Sequence, residues 1–288
     1  MADAISGVQR DVNALLGNLS AAEWLLKLAP AGVPVGGGRI LTKTLYGTLL
    51  YLDEKDRLIT PHLLLNRVFE PEVSQLAETL VRPGDTVVDV GANIGYYTCS
   101  FGRCVGPTGR VLAFEADPNI CGLLRDNIMI NNIFGWTSYS NVAISSKQGT
   151  LKMYRRILFQ GNTSIIRVPP AILSAYGDTD EEFEIQCASL DDLLHDYDRP
   201  IALIKIDVEG SERLVLEGMR GLVERNPGIR IILEWALWTI RDSGSTPEEM
   251  WDLLRGMDLR VFKIGQTVEA VDLPQLAGTE ICYLLLER

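Results

Sequence analysis

Histidine is almost missing from this chain of 288 residues: only His62 and His195 occur, so imidazole routes to acid–base chemistry are few. Cysteine is sparse. The five residues are Cys99, Cys104, Cys121, Cys187 and Cys282, an odd number with no Cys-x-x-Cys pair. That excludes a disulfide framework or a cysteine zinc site and fits reduced, buried thiols in a cytoplasmic protein. Positive charge is also short, with 27 Lys and Arg against 38 Asp and Glu and a net charge of −11. Nucleic acid demands a basic face and anionic lipid attracts one, so neither is an expected partner. A local basic patch at Arg155, Arg156 and Arg167 is the exception to watch. No apolar run is long enough to span a bilayer: residues 21–35 are broken by Glu23, Lys27, Pro30 and Pro34. The start, Met1-Ala-Asp-Ala, lacks the basic region and apolar core of a secretory signal.

What is present is a hydrophobic fraction of 47%, enough for one large α/β domain with extensions. The most informative stretch is Val87-Val-Asp-Val-Gly-Ala-Asn-Ile-Gly-Tyr-Tyr-Thr98. A β-branched run ends in Asp89, Gly91 and Gly95 follow, and apolar residues then recur at helical spacing. That reads as strand, tight turn and helix N-terminus, a cradle for a nucleotide-like cofactor. About 20 residues further on, a second strand ends in Glu115, whose carboxylate can take both hydroxyls of a ribose. A dinucleotide fingerprint, Gly-x-Gly-x-x-Gly, keeps side chains away from a pyrophosphate. Here the order is Asp89-x-Gly91-x-x-x-Gly95, with an acid before the first glycine and no central glycine. The carboxylate disfavours a phosphate and suits a cation. S-adenosylmethionine, with its sulfonium and ammonium, is the expected cofactor, and a nicotinamide-dependent oxidoreductase is the alternative. Gly91→Val is expected to abolish cofactor binding with little effect on folding.

Along the chain, residues 1–35 carry helix-spaced apolar residues, then prolines and Gly36-Gly37-Gly38 as a hinge-like linker. Residues 39–60 suggest a hairpin. Residues 1–60 are thus read as a helical and hairpin extension, a lid or a dimer element, which makes a homodimer one expectation. From residue 61 to 288 one cofactor-binding domain is expected. A helix is read at 71–81. Strands at 86–90, 111–114, 138–144, 202–206 and 230–233 alternate with helices at 95–104, 118–130, 212–224 and 247–255. This alternation implies a parallel sheet covered on both faces. Strands at 260–264 and 281–286 can pair antiparallel. Residues 146–186 break the rhythm and read as an inserted pair or trio of strands with an acidic loop at 178–182.

A second constellation is Leu203-Ile-Lys-Ile-Asp-Val-Glu-Gly-Ser-Glu212, where Lys205, Asp207 and Glu209 recur at period two on one face. Glu212 reads as a helix-start charge. Asp89, Glu115, Asp207 and Glu234 all sit at carboxyl ends of strands, where open α/β sheets bind ligands. Crowded acids repel unless cations or donors lie among them. Asp207 and Glu234 are the candidate bases and Lys205 either a catalytic partner or a counterion. A hard cation such as Mg²⁺ held by these acids is the other way to activate an alcohol.

These pieces resemble the FkbM-type methyltransferases, a branch of the class I S-adenosylmethionine-dependent enzymes. The resemblance is carried by the acid–glycine turn, Phe114-Glu-Ala-Asp-Pro118 with Asn127 and Asn131, Asn141-Val-Ala-Ile-Ser145, Gly161-Asn-Thr-Ser164, Lys205-Ile-Asp-Val-Glu-Gly-Ser-Glu212, and Glu70-Pro71. It covers residues 65–240. It implies a Rossmann-like α/β fold with a seven-stranded, mostly parallel sheet, an antiparallel C-terminal strand and helices on both faces. It also implies that Asp89, Gly91, Asn93 and Gly95 line the methionine end, that Glu115 holds the ribose, that Asn141 to Ala143 lie beside the adenine, and that Asp207 lies near the reactive methyl. Glu70 is the acid ahead of the first core strand. O-methylation of a small molecule, a secondary metabolite or sugar, is the implied activity; cleavage or cyclisation of S-adenosylmethionine on the same fold is an alternative. Asp207→Ala is expected to keep binding and lose turnover.

Overall fold

The computed structural model describes residues 31–288. The helical pattern read over residues 1–30 lies outside the described residues. A large mixed sheet forms the centre. Its strands are β4 (Thr86–Val90), β5 (Arg110–Glu115), β6 (Thr137–Asn141), β10 (Ile201–Ile206), β11 (Arg230–Ala236), β12 (Arg260–Ile264), β13 (Val268–Ala270) and β14 (Ile281–Glu287). The order across the sheet is β13-β12-β14-β11-β10-β4-β5-β6. From β11 to β6 every pairing is parallel, and β14 runs antiparallel between β11 and β12. The C-terminal pairing is thus as expected, with β13 adding an eighth strand outside β12.

The parallel strands are continuous apolar runs because both faces are covered. All five residues of β4 are buried. Val88, Val90, Ile204, Ile206, Ile231 and Leu233 face one layer, which includes α7 (Glu212–Glu217), α8 (Arg220–Arg225) and α10 (Pro247–Gly256). Val87, Val111, Leu203 and Ile232 face the other, with α2 (Pro71–Leu80), α3 (Tyr96–Val105) and α4 (Pro118–Ile130). Alternation along each strand sends neighbours to opposite layers. Local caps set the helix starts: Asp117 accepts from the Asn119 N–H ahead of Pro118, and Thr246 forms a capping box with Glu249.

Three expectations are corrected. The helix over 212–224 is two: the first ends at Glu217 with Gly218 as its C-cap, where a β-carbon would lie 2.1 Å from the Ser145 carbonyl oxygen, and the second starts at Arg220. The strand over 138–144 is also two. β6 stops at Asn141, and β7 (Ala143–Ile144) leaves to pair with β9 (Asp180–Ala188), which in turn pairs with β8 (Gly149–Arg156). The acidic run at 178–182 is not a free loop. Asp178 pairs with Arg156 at 2.8 Å, Asp180 with Arg167 at 2.8 Å, and Glu181 with Arg155 at 3.4 Å. The basic patch is therefore neutralised by neighbouring acids.

The hairpin is present as β2 (Arg39–Lys43) and β3 (Leu49–Asp53), with β1 (Val33–Gly36) beside β2. Gly36 to Gly38, read as a linker, make the tight turn from β1 into β2, with φ of 84°, 63° and 73°. This sheet is fastened to α4. The Asn127 side chain accepts from Tyr51 N–H at 2.7 Å and donates to Tyr51 O at 3.1 Å and Ile94 O at 2.7 Å. Asn131 does the same with Leu49, at 2.9 and 2.6 Å. Residues four apart on a helix and two apart on a strand are both about 6–7 Å apart, so two asparagines act as a partner strand. Leu50 and Leu52 share the core with Val87, and packing runs unbroken across residue 60.

Candidate active site

The parallel strands point their carboxyl ends at one crevice, where the chain order turns away from β4 in both directions. Gly91 follows β4 at φ 77°. A β-carbon there would lie 1.8 Å from the Asp207 main-chain oxygen, so glycine is required by the neighbouring strand end. Asn93 is left-handed at φ 50°, and Gly95 at φ 90° is the N-cap of α3. The Asn93 N–H donates to Glu115 Oε2 at 2.8 Å and the Asp117 N–H to Oε1 at 2.7 Å. Burial outweighs these two donors and pushes the Glu115 carboxyl up to about 7.

Two expected cofactor residues take other places. Asp89 is 1% exposed and does not line the crevice. It accepts from Thr98 Oγ1 at 2.5 Å, and its Oδ1 has no hydrogen-bond partner among the described residues. Burial raises its carboxyl and Lys205 lowers it. The Asn141 amide donates to the carbonyls of Glu115 and Ala116, both at 2.9 Å, and fixes that loop from outside. Ala143 does line the narrow cleft beside Glu115, with Val142, Leu151 and Met153.

Next to this cleft lies a cavity of about 460 Å³, with Gly91, Asn93, Gly161, Asp207 and Glu209 common to both walls. Four carboxylates line it: Glu70, Asp207, Glu209 and Glu234. Lys205 lies among them, 2% exposed, with Nζ 2.8 Å from Asp207 Oδ2 and 4.5 Å from the centroid of Tyr97. Burial opposes its charge, but Asp207, Glu70 and Asp89 together hold its pKa above the usual lysine value. Lys205 is thus placed as a counterion to Asp207. Glu70 accepts from the Tyr97 hydroxyl at 2.7 Å and from the Tyr283 hydroxyl. Burial, then Asp207, raises the Glu70 carboxyl. Glu70 at φ 47° and Glu209 at φ 52° are left-handed like Asn93. Non-glycine residues rarely hold this conformation, and three of them meet at one cavity.

Glu209 and Glu234 are both held well above the usual carboxylate range, first by burial and then by Asp207. Glu234 Oε2 is buried without a partner among the described residues. Oxygens of Asp207, Glu209 and Glu234 lie within 4.8 Å of one another, a set able to hold a metal ion. Glu212 is more than a helix-start charge. Its carboxylate accepts from the Val208 and Gly210 N–H groups at 3.2 and 3.0 Å and holds the loop carrying Glu209, with burial pushing its pKa to about 7.

The roof comes from two distant segments. Leu58, Ile59 and His62, from α1 (Ile59–Asn66) and the loop before it, meet Gly161 and Asn162. The Gln160 N–H donates to Asp56 at 3.2 Å and its amide to Asp53 at 2.9 Å, tying the segments together. The rim is apolar, with Trp238 45% and Ile281 56% exposed. His195 is exposed, as its polar context suggests.

Sequence reasoning left Glu209, Tyr97, Tyr283 and Trp238 out of the site. Glu209 carried a signal in the period-two pattern, and Tyr97 lay inside the glycine motif. Tyr283 had none: it arrives through the register of β14 opposite Glu234 on β11.

The strand order, the antiparallel β14 and the acid–glycine turn after β4 define a class I methyltransferase fold. Residues 89–261 match the family model described as the methyltransferase FkbM domain, and the chain belongs to that family as a methyltransferase. It is 31% identical over 234 residues to the 31-O-demethyl-FK506 methyltransferase FkbM of Streptomyces tacrolimicus, covering 72% of this chain and 82% of that one. It is 28% identical over 199 residues to the methyltransferase sdnD of Sordaria araneosa, covering 58% and 75%. A solved SAM-dependent O-methyltransferase from Thermotoga maritima aligns at a TM-score of 0.41 and 14% identity over 90% of this chain and 94% of that one, a likeness too loose to carry an argument.

Proposed function

We propose that the protein transfers the methyl group of S-adenosylmethionine to a hydroxyl of a small molecule, a secondary metabolite or a sugar. Family membership supports methyl transfer. The observation that carries the rest is the acid-rich cavity that shares Asp207 and Glu209 with the cleft at Glu115.

The residues fit this cofactor. Glu115 keeps lone pairs free of its two backbone donors, which ribose hydroxyls can use. Val142, Ala143, Leu151 and Met153 offer an apolar seat for a purine. Gly91 lets the backbone approach closely, and Glu70 supplies negative charge toward the sulfonium and ammonium. When bound, S-adenosylmethionine supplies an electrophilic methyl on a good leaving group. Transfer of that methyl to oxygen would release S-adenosylhomocysteine, and the hydroxyl proton would pass to a carboxylate. Asp207 and Glu234 face the cavity from adjacent strand ends and are the groups placed to receive it. Alignment of the hydroxyl by the cavity wall contributes several kcal/mol.

A small molecule, not nucleic acid or a membrane, is the partner in this reading. Arg155, Arg156 and Arg167 are each paired, and no helix among the described residues is long and apolar enough to cross a membrane. Calorimetry with S-adenosylmethionine and with NAD tests the cofactor: heat from the first and none from the second is expected, and the reverse overturns it. Release of S-adenosylhomocysteine only when an alcohol acceptor is added tests the transfer.

A further inference from the structure

Trp238 is the only exposed tryptophan among the described residues, and it lines the cavity four residues after Glu234. Its neighbours Leu237, Thr239 and Ile240 on α9 (Leu237–Asp242) are all buried, so a firmly packed helix presents the indole to the cavity and to solvent. Ile281, the first residue of β14, pairs with Ala236 and stands exposed on the same rim. Leu58, also exposed, joins them from the loop before α1. Single exposed apolar residues are ordinary on a protein surface, but three gathered on the rim of one cavity mark a binding surface. Deeper in, the lining changes character: Glu70, Asp207, Glu209 and Glu234 face the cavity, with Lys205 the only lysine or arginine among them.

We infer that the acceptor is an uncharged alcohol at one end of an apolar body, and that Trp238, Ile281 and Leu58 select it by holding that body at the cavity mouth. The inference rests on the proposed methyl transfer and names its acceptor class. A volume of about 460 Å³ lies toward the small end of the roughly 300–1,000 Å³ of small-molecule sites, and the methionine end of the cofactor takes part of it. Only the reacting end of an acceptor fits beside that group, so the remainder crosses the rim. An indole offers a large, stiff apolar face at low entropic cost. An apolar body laid on it and on Ile281 leaves water, and so do the two side chains. A free sugar can lay one face on the indole, but Ile281 and Leu58 would strip water from its hydroxyls without replacing it. An acidic group beside the reacting hydroxyl would meet four carboxylates and one lysine already engaged by Asp207 Oδ2 at 2.8 Å. The cavity floor thus rejects phosphorylated and acidic alcohols, and the rim favours lipophilic ones.

The test titrates the full chain by calorimetry, with and without S-adenosylhomocysteine, using 1-butanol, 1-hexanol, 1-octanol, glucose and 2-hydroxyoctanoate as probes. Affinity is expected to rise about two- to fourfold for each added methylene of the alkanols. Glucose should give no heat of binding, and 2-hydroxyoctanoate should bind about tenfold or more weakly than 1-octanol. Trp238→Ala and Ile281→Ser should flatten the dependence on chain length and leave S-adenosylmethionine affinity at the parent's value. Both side chains are exposed, so both variants should fold, and thermal melts check it. Affinity independent of chain length, glucose bound more tightly than 1-octanol, or a dependence unchanged in folded Trp238→Ala overturns the inference. So does a doubled mass by light scattering with no alkanol bound, which would assign the rim to a second copy of the chain. S-adenosylmethionine titrated into the same samples separates this inference from the reading beneath it. Cofactor bound without any chain-length dependence removes the acceptor class and leaves the methyl transfer. Chain-length dependence without cofactor binding removes the methyl transfer, and the acceptor class falls with it.

Discussion

The main-chain oxygen of Asp207 occupies the space that a side chain on residue 91 would need: a β-carbon on Gly91 would lie 1.8 Å from it. The ends of β4 and β10 therefore touch through a position that a motif reader assigns to the ligand. Gly91→Ala must displace backbone and also hold φ near 77°. It is expected to destabilise the fold by about 2–4 kcal/mol, measured by urea unfolding, and to lose cofactor binding as a consequence. Parent-like stability would mean that the Asp207 loop yields. The simpler expectation, lost binding on an intact fold, does not survive this contact.

Asp207→Asn keeps the shape and removes the charge. Lys205 retains Glu70 and Asp89 as counter-charges, so the fold should hold. Turnover is expected to fall about 100-fold or more, with cofactor affinity within a few-fold of the parent. Steady-state rates and calorimetry check the two halves, and an unchanged rate removes Asp207 from the reaction.

Tyr283→Phe takes one hydroxyl from Glu70 and leaves Tyr97 in place. These hydroxyl donors hold the Glu70 carboxyl down against its burial, so Glu70 should carry less negative charge in the variant. Cofactor affinity is expected to drop about tenfold, the scale of one hydrogen bond to a charged group, with the maximal rate less affected. Titration calorimetry reads it.

Burial raises Glu115 and Glu212 from 4.5 to about 7. The folded chain thus binds more protons than the unfolded chain between those values, and these groups make stability fall as pH rises through that window. The slope is at most on the order of 1 kcal/mol per pH unit for each group. Urea unfolding across the window should show it, and Glu115→Gln should flatten it. Cofactor affinity should move the other way, rising as Glu115 ionises and can accept from both ribose hydroxyls. A flat stability profile in the parent would contradict the assignment.

Asn127→Ala removes the amide that pairs with Tyr51 and reaches Ile94. A loss of about 2–4 kcal/mol is expected from the buried groups left unpaired. Hydrogen exchange at Tyr51 and Leu49 should rise first, which distinguishes release of β3 from general loosening.

Much of this molecule was legible in the residues. The buried runs of β4, β5, β10 and β11 announced themselves, and Asp117-Pro118 marked the start of α4 correctly. What escaped depended on tertiary register. Asp89 looks like the other strand-end acids, yet it points beneath the turn toward Thr98. Asn141 sits at the expected place and turns its amide outward onto the Glu115 loop. Arg155 and Arg156 form a basic patch on paper, and only the tertiary fold reveals their partners, Asp117 and Glu181 for Arg155 and Asp178 for Arg156. Glu209 lies two residues beyond Asp207 in the expected pattern, but it stays in the cavity because a left-handed backbone turns it there, after β10 has ended at Ile206.

Glu70, Asn93 and Glu209 share one consequence. Each would sit more comfortably as glycine, which adopts their backbone angles without strain. A screen for thermal durability alone would therefore favour glycine at all three, and each step would strip a polar side chain from the chamber. Hardiness and chemistry pull against each other at these positions, and a durable variant of this chain has to be sought elsewhere in the sequence.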